Sequence, residues 1–133
     1  MPIRYRIDSE RNLVIVEADG VLKDSDYLEA RAKLAKDPLL RPGMMQLMDF
    51  RSVELHDLTI DMYCRFIDQE IELKPQYGDY RLAVVTSSDL HFGFTRMFIV
   101  EMGASSSDMQ VFRDMDEAKA WLFDDSEELD DDA

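Results

Sequence analysis

The sequence predicts an α/β domain in which a mixed, mainly parallel sheet is flanked by helices, with the element order ββαβαβαβα. Three observations predict this class. The chain opens with two short strand-like segments around a turn. Apolar runs of strand length then alternate with amphipathic stretches of helix length. One of those runs, Leu82–Val85, is apolar at every position, which is typical of a parallel strand covered on both faces.

An antiparallel hairpin is expected at the start of the chain. Apolar residues alternate with charged ones along its first strand, at Ile3, Tyr5 and Ile7, and a strand with one wet face is typical of a sheet edge. Residues 8–12 have the composition of a turn. A second strand follows as the apolar, β-branched run that begins at Leu13 and ends at Gly20.

Each predicted helix begins at a polar residue that is able to cap it and continues with apolar residues three and four positions apart. The capping residues are Asp24 or Ser25, Thr59, one of Ser87, Ser88 and Asp89, and Asp114. The strands between these helices are expected at Met44–Phe50, Leu82–Val85 and Val111–Phe112. No linker interrupts this alternation, so residues 1–123 are predicted to form one domain.

The charge of the chain argues against several classes of partner. The chain holds 29 acidic and 15 basic residues, a formal net charge of -14, which repels phosphate backbones and anionic membrane surfaces. Binding to nucleic acid is therefore not expected. Seven of the acidic residues lie between Asp124 and Asp132 with no basic residue among them, so residues 124–133 are predicted to be an acidic, disordered tail.

The sequence also predicts where the protein resides. Its N-terminus lacks the apolar core of a signal peptide, and no apolar run approaches the roughly 20 residues that span a bilayer. Cys64 is the only cysteine, which fits a reducing compartment, and its place in a predicted helix indicates a buried structural thiol. A cytoplasmic location without membrane insertion is the expectation.

Recognisable catalytic and metal-binding motifs are absent from the sequence. It has no G-x-S-x-G elbow, no H-E-x-x-H pair and no glycine-rich phosphate loop. His56 and His91 are the only histidines and, with a single cysteine, they form no cluster with zinc-ligand spacing. The sequence therefore predicts a protein that is not an enzyme and needs no metal and no cofactor.

Polar residues gather where two of the predicted parallel strands end. In sheets of this kind, ligands bind beyond the carboxyl ends of the strands, and the start of the next helix offers free N–H groups to an anion. The candidate ligand or partner site consists of Asp49, Arg51, Ser52, Ser88, His91, Phe92 and Arg96. Ordinary roles account for the same residues: a serine caps a helix, and Arg96 pairs with a carboxylate such as Asp49.

The helix that follows this site carries apolar side chains around most of its circumference, at Leu90, Phe92, Phe94 and Phe98. A helix of this kind is either buried or docked on a partner. Exposed methionines such as Met97 would mark a partner surface. A homodimer, or a complex with another protein, is therefore expected to use this helix.

Three phrases of the sequence, together with the element order, resemble the SpoIIAA-like (STAS-like) fold of bacterial anti-anti-sigma factors. The phrases are residues 47–51, 92–98 and 111–122, and the similarity in element order extends over about residues 3–123. The chain is similar to small bacterial proteins of this fold that have no defined activity. The resemblance implies a regulatory or protein-interaction domain.

The resemblance also implies two further uses of the fold. Anti-anti-sigma factors are phosphorylated on a serine just after the third strand; Ser52 matches that position, but the adjacent hydroxyl and the glycine of the pattern are missing here. Distantly similar CRAL-TRIO domains hold an apolar ligand. The alternative function is therefore the binding of a small anionic or apolar molecule, or a lipid, in the strand-end crevice, with Arg51 or Arg96 at the mouth of the pocket.

Overall fold

The computed structural model describes residues 2–54, 60–102 and 109–123. Within them lie ten elements: β1 (Ile3–Asp8), β2 (Leu13–Val21), α1 (Asp24–Ala35), β3 (Met45–Glu54), α2 (Ile60–Glu72), α3 (Lys74–Tyr77), β4 (Leu82–Val85), α4 (Asp89–Met102), β5 (Met109–Phe112) and α5 (Met115–Leu122). The predicted order is confirmed except for α3, a single helical turn in a segment where the sequence predicts only the end of a helix. Thr59 and residues 124–133 lie outside the described residues.

The five strands form one sheet in the order β1-β2-β3-β4-β5. β1 pairs with β2 in antiparallel register, and the three remaining pairs are parallel. Every parallel crossover steps in the same direction across the sheet, so the right-handed rule places the crossover helices on one face. The mixed, mainly parallel sheet is confirmed, and the edge position of β1 agrees with its one wet face.

Two apolar cores lie on opposite faces of this sheet. The face that carries α1, α2 and α4, called the helical face below, buries Tyr27, Leu34 and Phe98 against sheet residues such as Val16 and Val84. On the other face, called the α5 face, α5 packs on the sheet and buries these residues: Leu13, Leu47, Ala83, Val85, Ala118 and Leu122. β4 therefore contributes to both cores, as its unbroken apolar run predicts.

β3 is longer than predicted. It continues to Glu54, because β2 extends to Val21 and supplies a partner strand after an irregularity in the pairing between Glu17 and Asp19. The segment from Asp49 to Ser52, expected partly as a loop, consequently lies inside a strand whose second half extends beyond the end of β4.

Of the expectations for the helix caps and for Cys64, the structure confirms some and contradicts others. Ser88 Oγ accepts the backbone N–H of His91 at 3.0 Å, and the Asp114 carboxylate accepts that of Glu117 at 3.1 Å, so these two caps are confirmed. α1 instead begins at Asp24, with Lys23 in the capping position. The expectation that Cys64 is buried is wrong, since its side chain is exposed on α2.

Within the described residues, no helix combines the length and apolarity needed to cross a bilayer. The same part of the chain contains no group of three or more histidine, cysteine, aspartate or glutamate side chains placed to hold a metal ion.

Candidate functional site

The end of β3 and the start of α4 lie side by side. Asp49 is paired with Val85, the last residue of β4, and Arg51 follows just beyond that strand end. The Ser87 hydroxyl donates to the carbonyl oxygen of Arg51 at 2.6 Å, which joins the segment before α4 to β3. The structure thus brings Asp49 and Arg51 next to the segment that holds Ser88, across one crevice at the strand ends.

Inside this crevice, Asp49 is engaged by Arg51. The Arg51 guanidinium donates to both Asp49 carboxylate oxygens, each at 2.9 Å, and the Arg51 backbone N–H donates to Oδ1 at 3.2 Å. The hydrogen bonds from Arg51 lower the pKa of Asp49 below its usual value, so Asp49 is ionised and already paired at neutral pH. A carboxylate in this state is a poor general base at neutral pH.

The other predicted site residues have different surroundings. Ser52 is exposed on β3 opposite Asp19, inside a strand rather than at the opening of a helix. Arg96 is exposed and forms no ion pair with any residue in the described ranges, so the expected Arg96–Asp49 pair is not formed. His91 is buried at the first turn of α4.

Phe92 stands in a separate small cluster with Arg113. The Arg113 guanidinium lies over the Phe92 ring at 4.5 Å from its centroid and pairs with the Asp89 carboxylate at 2.5 Å. This stacked ion pair ties the start of α4 to the segment after β5. Phe92 is therefore a half-buried packing residue rather than an exposed partner contact.

α4 has one buried side and one exposed apolar side. Phe98 is buried, and Phe94 lies over the sheet. Leu90, Met97 and Val100 are instead 65%, 61% and 72% exposed. With Gly93, where an added Cβ would meet no atom within 4 Å, they recur at the three- and four-residue spacings of one helix side. These four residues are called the outer stripe of α4. Phe94 and Phe98, expected at a partner surface, instead line the pocket under the helix, and Phe98 is buried.

A small apolar pocket lies under α4 on the helical face. It has a volume of about 60 Å³ and lies between α1, α2, α4 and the middle of the sheet. The polar and charged residues in its lining are Lys23, Asp24 and Thr95. The rest of the lining is apolar and consists of these residues: Leu22, Tyr27, Met48, Phe50, Phe66, Leu82, Val84, Phe94, Phe98 and Ile99. Neither Arg51 nor Arg96 lines this pocket, so the expectation that an arginine lies at the mouth of an apolar pocket is wrong.

The sequence interpretation missed a buried ionic network between the helices and the sheet. Arg31 of α1 is 1% exposed, and its guanidinium donates to the Gln46 amide oxygen, to Glu70, and to the Tyr80 hydroxyl at 3.0 Å. The Tyr80 hydroxyl in turn donates to Glu70 at 2.8 Å. Burial alone lowers the pKa of Arg31, but the Glu70 carboxylate outweighs that effect and holds the pKa well above its usual value, so Arg31 is charged.

A sequence signal for this network exists. Arg31 occupies the same side of α1 as the buried residues Tyr27 and Leu34, at spacings of four and three. A charged residue at a core position requires a buried partner of opposite charge. The partner, Glu70, is 39 residues away along the chain, and no local pattern identifies it.

The fold has a counterpart among solved structures. A crystal structure of an uncharacterized protein from the DUF3478 family, with a SpoIIAA-like fold, from Shewanella loihica PV-4, matches this chain with a TM-score of 0.60 and 19% sequence identity. The match covers 90% of this chain and 93% of that one. No protein-family model and no curated protein sequence matches the chain. The resemblance drawn from the sequence is thus confirmed at the level of architecture: the chain has a SpoIIAA-like fold.

Proposed function

We propose that this domain is a non-catalytic regulatory or protein-interaction module that self-associates through the outer stripe of α4. One observation carries the proposal: three large apolar side chains on one side of α4 are more than half exposed. Scattered apolar residues are common on protein surfaces, but residues that line up along one helix mark a surface suited to another helix.

The outer stripe favours a second copy because it is self-complementary. Leu90 and Val100 lie equally far from its middle, and so do Gly93 and Met97. In an antiparallel pair of α4 helices related by a two-fold axis, Leu90 meets Val100 of the other copy. Met97 meets Gly93, whose missing side chain leaves space for it. An isologous contact of this kind needs no other partner to cover the stripe.

Size and charge both make this dimer weak. Standard stable interfaces involve roughly 20–30 residues a side, and the stripe supplies four, so a micromolar or weaker dissociation constant is expected. Each copy carries a formal net charge of -14, and two such copies repel each other at long range. Salt screens this repulsion, so self-association should strengthen between low ionic strength and about 0.5 M salt.

Sedimentation equilibrium over a range of protein concentrations tests the proposal. Met97→Glu places a charge in the centre of the stripe and should abolish the dimer. Leu39→Glu is the matched control, since Leu39 is also an exposed apolar residue, at 55% exposure, away from α4, and the substitution adds the same charge. The parent and the control should dimerise more tightly in salt. A parent that stays monomeric at millimolar concentration in 0.5 M salt would refute the proposal.

A second candidate function is the binding of a small apolar molecule, and the pocket under α4 is the observation that favours it. Five aromatic rings contribute to its lining, and a ring-shaped or short branched apolar ligand suits such walls. The volume of about 60 Å³ is well under the roughly 150 Å³ of a cavity that holds benzene, so an aromatic ring enters only by displacing lining side chains, and a lipid chain is not enclosed. Titration with indole, followed by NMR shifts of the Phe94 and Ile99 amides, tests it. Unchanged shifts at millimolar indole would rule this candidate out.

A further inference from the structure

We propose that the groove between β1 and α1 binds an extended, basic peptide segment, which adds a strand to the free edge of the sheet. This site is separate from the outer stripe of α4. β1 and β5 are the two edges of the sheet, and α4 packs near β5. Four strand spacings of about 4.8 Å place the two edges roughly 19 Å apart.

The register of β1 shows which backbone groups face outward. The Asp19 N–H donates to the carbonyl of Pro2 at 2.9 Å, and Ile3 is paired with Ala18, so Pro2 and Asp19 form a hydrogen-bonded pair. In an antiparallel ladder such pairs alternate along the strand. The even-numbered residues of β1 therefore bond to β2, and the odd-numbered ones direct their N–H and C=O groups away from the sheet. Of these, Tyr5 and Ile7 are partly exposed, whereas Ile3 is buried.

α1 forms a wall beside this edge. Asp26, Glu29 and Lys33, spaced three and four residues apart on one side of α1, line a groove of about 590 Å³ together with Ile3, Tyr5 and Asp37. A groove between an edge strand and a helix is the geometry in which domains bind peptides by strand addition. β1 has six residues, about 20 Å of strand, so a segment of four to five residues fits beside it.

The charges of the groove select a basic segment. Three carboxylates line it together with two cations, Lys33 and Arg4, and Arg4 is already paired with Glu17 and Asp19. Glu29 is exposed and pairs with no residue in the described parts of the chain. The backbone N–H of Leu39 and the Tyr5 hydroxyl hydrogen-bond to Asp37 and lower its pKa, so Asp37 is ionised at neutral pH. The side chains of a bound strand alternate between two faces, and those on the helical face meet these carboxylates.

The other face of the same strand restricts the partner further. Arg4 and Arg6 are exposed on the α5 face of β1, because they alternate with Ile3 and Tyr5. A bound segment should therefore be basic at every second position and uncharged or acidic between. A second copy of β1 would place arginines beside arginines, and like charges on adjacent strands destabilise the pairing. The occupant we assign is accordingly a separate basic segment.

A fluorescein-labelled peptide that alternates lysine and threonine over six residues is the probe. Fluorescence anisotropy should show saturable binding, and NMR should show shifts of the Tyr5 and Ile7 amides. Glu29→Lys should weaken binding roughly threefold to tenfold, as expected for loss of a partly exposed charge contact. Glu72→Lys is the matched control, because Glu72 is exposed at the end of α2 and does not line the groove; it should bind like the parent.

A peptide of the same sequence that is N-methylated at alternate residues separates strand addition from simple charge attraction. Methylation removes the backbone donors that a strand needs but keeps every charge, so binding should be lost. Equal binding of the methylated peptide, or shifts that avoid Tyr5 and Ile7, would overturn the proposal. Concentration-dependent shifts of those amides without peptide would mean that a second copy occupies the edge, which would overturn it too.

Discussion

The buried Arg31–Glu70 pair offers the sharpest test of the packing described above. Arg31→Met keeps the unbranched stem as far as the position of Nε but removes the charge, and it leaves the Glu70 carboxylate buried, at 7% exposure. The Tyr80 hydroxyl would then be the partner that Glu70 retains from this network. The Gln46 side chain, 1% exposed, also loses the donor that Arg31 supplies.

Two independent estimates give the size of the effect. Removing one member of a buried ion pair costs about 3–5 kcal/mol of folding free energy. If the isolated carboxyl instead takes up a proton, protonating an ordinary glutamate at pH 7 costs roughly 4 kcal/mol. We therefore expect Arg31→Met to destabilise the protein by about 4 kcal/mol at pH 7. At pH 5 the protonation cost falls to roughly 1 kcal/mol, so the variant should recover about 3 kcal/mol relative to the parent.

Urea denaturation at pH 7 and pH 5, followed by the fluorescence of Trp121, the one tryptophan of the chain, measures these differences. Arg4→Met is the matched control: the Arg4–Asp19 pair has side chains 51% and 56% exposed, and loss of such a pair costs about 0–1 kcal/mol. The double variant Arg31→Met/Glu70→Leu should be more stable at pH 7 than Arg31→Met alone. Equal losses for Arg31→Met and Arg4→Met, or no recovery at pH 5, would refute the reasoning.

Two further predictions concern titration. In Arg51→Gln the pKa of Asp49 should rise toward its ordinary value, which carboxyl NMR shifts measure. Because that pKa is lowered in the folded protein, the Asp49–Arg51 pair stabilises the fold above about pH 4, and this stabilisation is lost as the pH falls through the folded value. It amounts to less than about 1 kcal/mol, since the Arg51 side chain is 47% exposed. Burial and then the hydrogen bond to Asp37 raise the pKa of Tyr5 to about 12. The contribution of the protonated Tyr5 hydroxyl to folding stability is therefore complete below about pH 10 and is lost as the pH rises through 12. Ultraviolet titration should show that Asp37→Asn lowers the Tyr5 value, and an unchanged value would contradict the assigned hydrogen bond.

The sequence and the structure agree where a pattern is local. The unbroken apolar run of β4 predicts its place between two cores, and the alternation along β1 predicts an edge strand. Ser88 and Asp114 cap helices as their positions indicate. In each case the signal and the structure it predicts lie within a few residues of each other, so neighbouring side chains are sufficient evidence.

Expectations about strand length and helix exposure were less accurate because they depended on distant partners. The length of β3 depends on how far β2 extends beside it, which no residue of β3 encodes. Which side of α4 is exposed depends on which apolar residues the sheet and α2 bury: Phe98 is buried, and Met97, the next residue, is 61% exposed. The helix is apolar on both sides, so its periodicity does not distinguish the two.

Sequence by itself thus determined the class of fold, the direction of the strands and the caps of two helices, since hydrophobic period and capping chemistry act over one or two turns of chain. Only the tertiary structure decided that Arg31 pairs with Glu70, that the ionised Asp49 pairs with Arg51, and that β1 and α1 leave a groove between them. Burial and ion pairing depend on distances in space, and those distances are fixed only when segments far apart in the chain pack together.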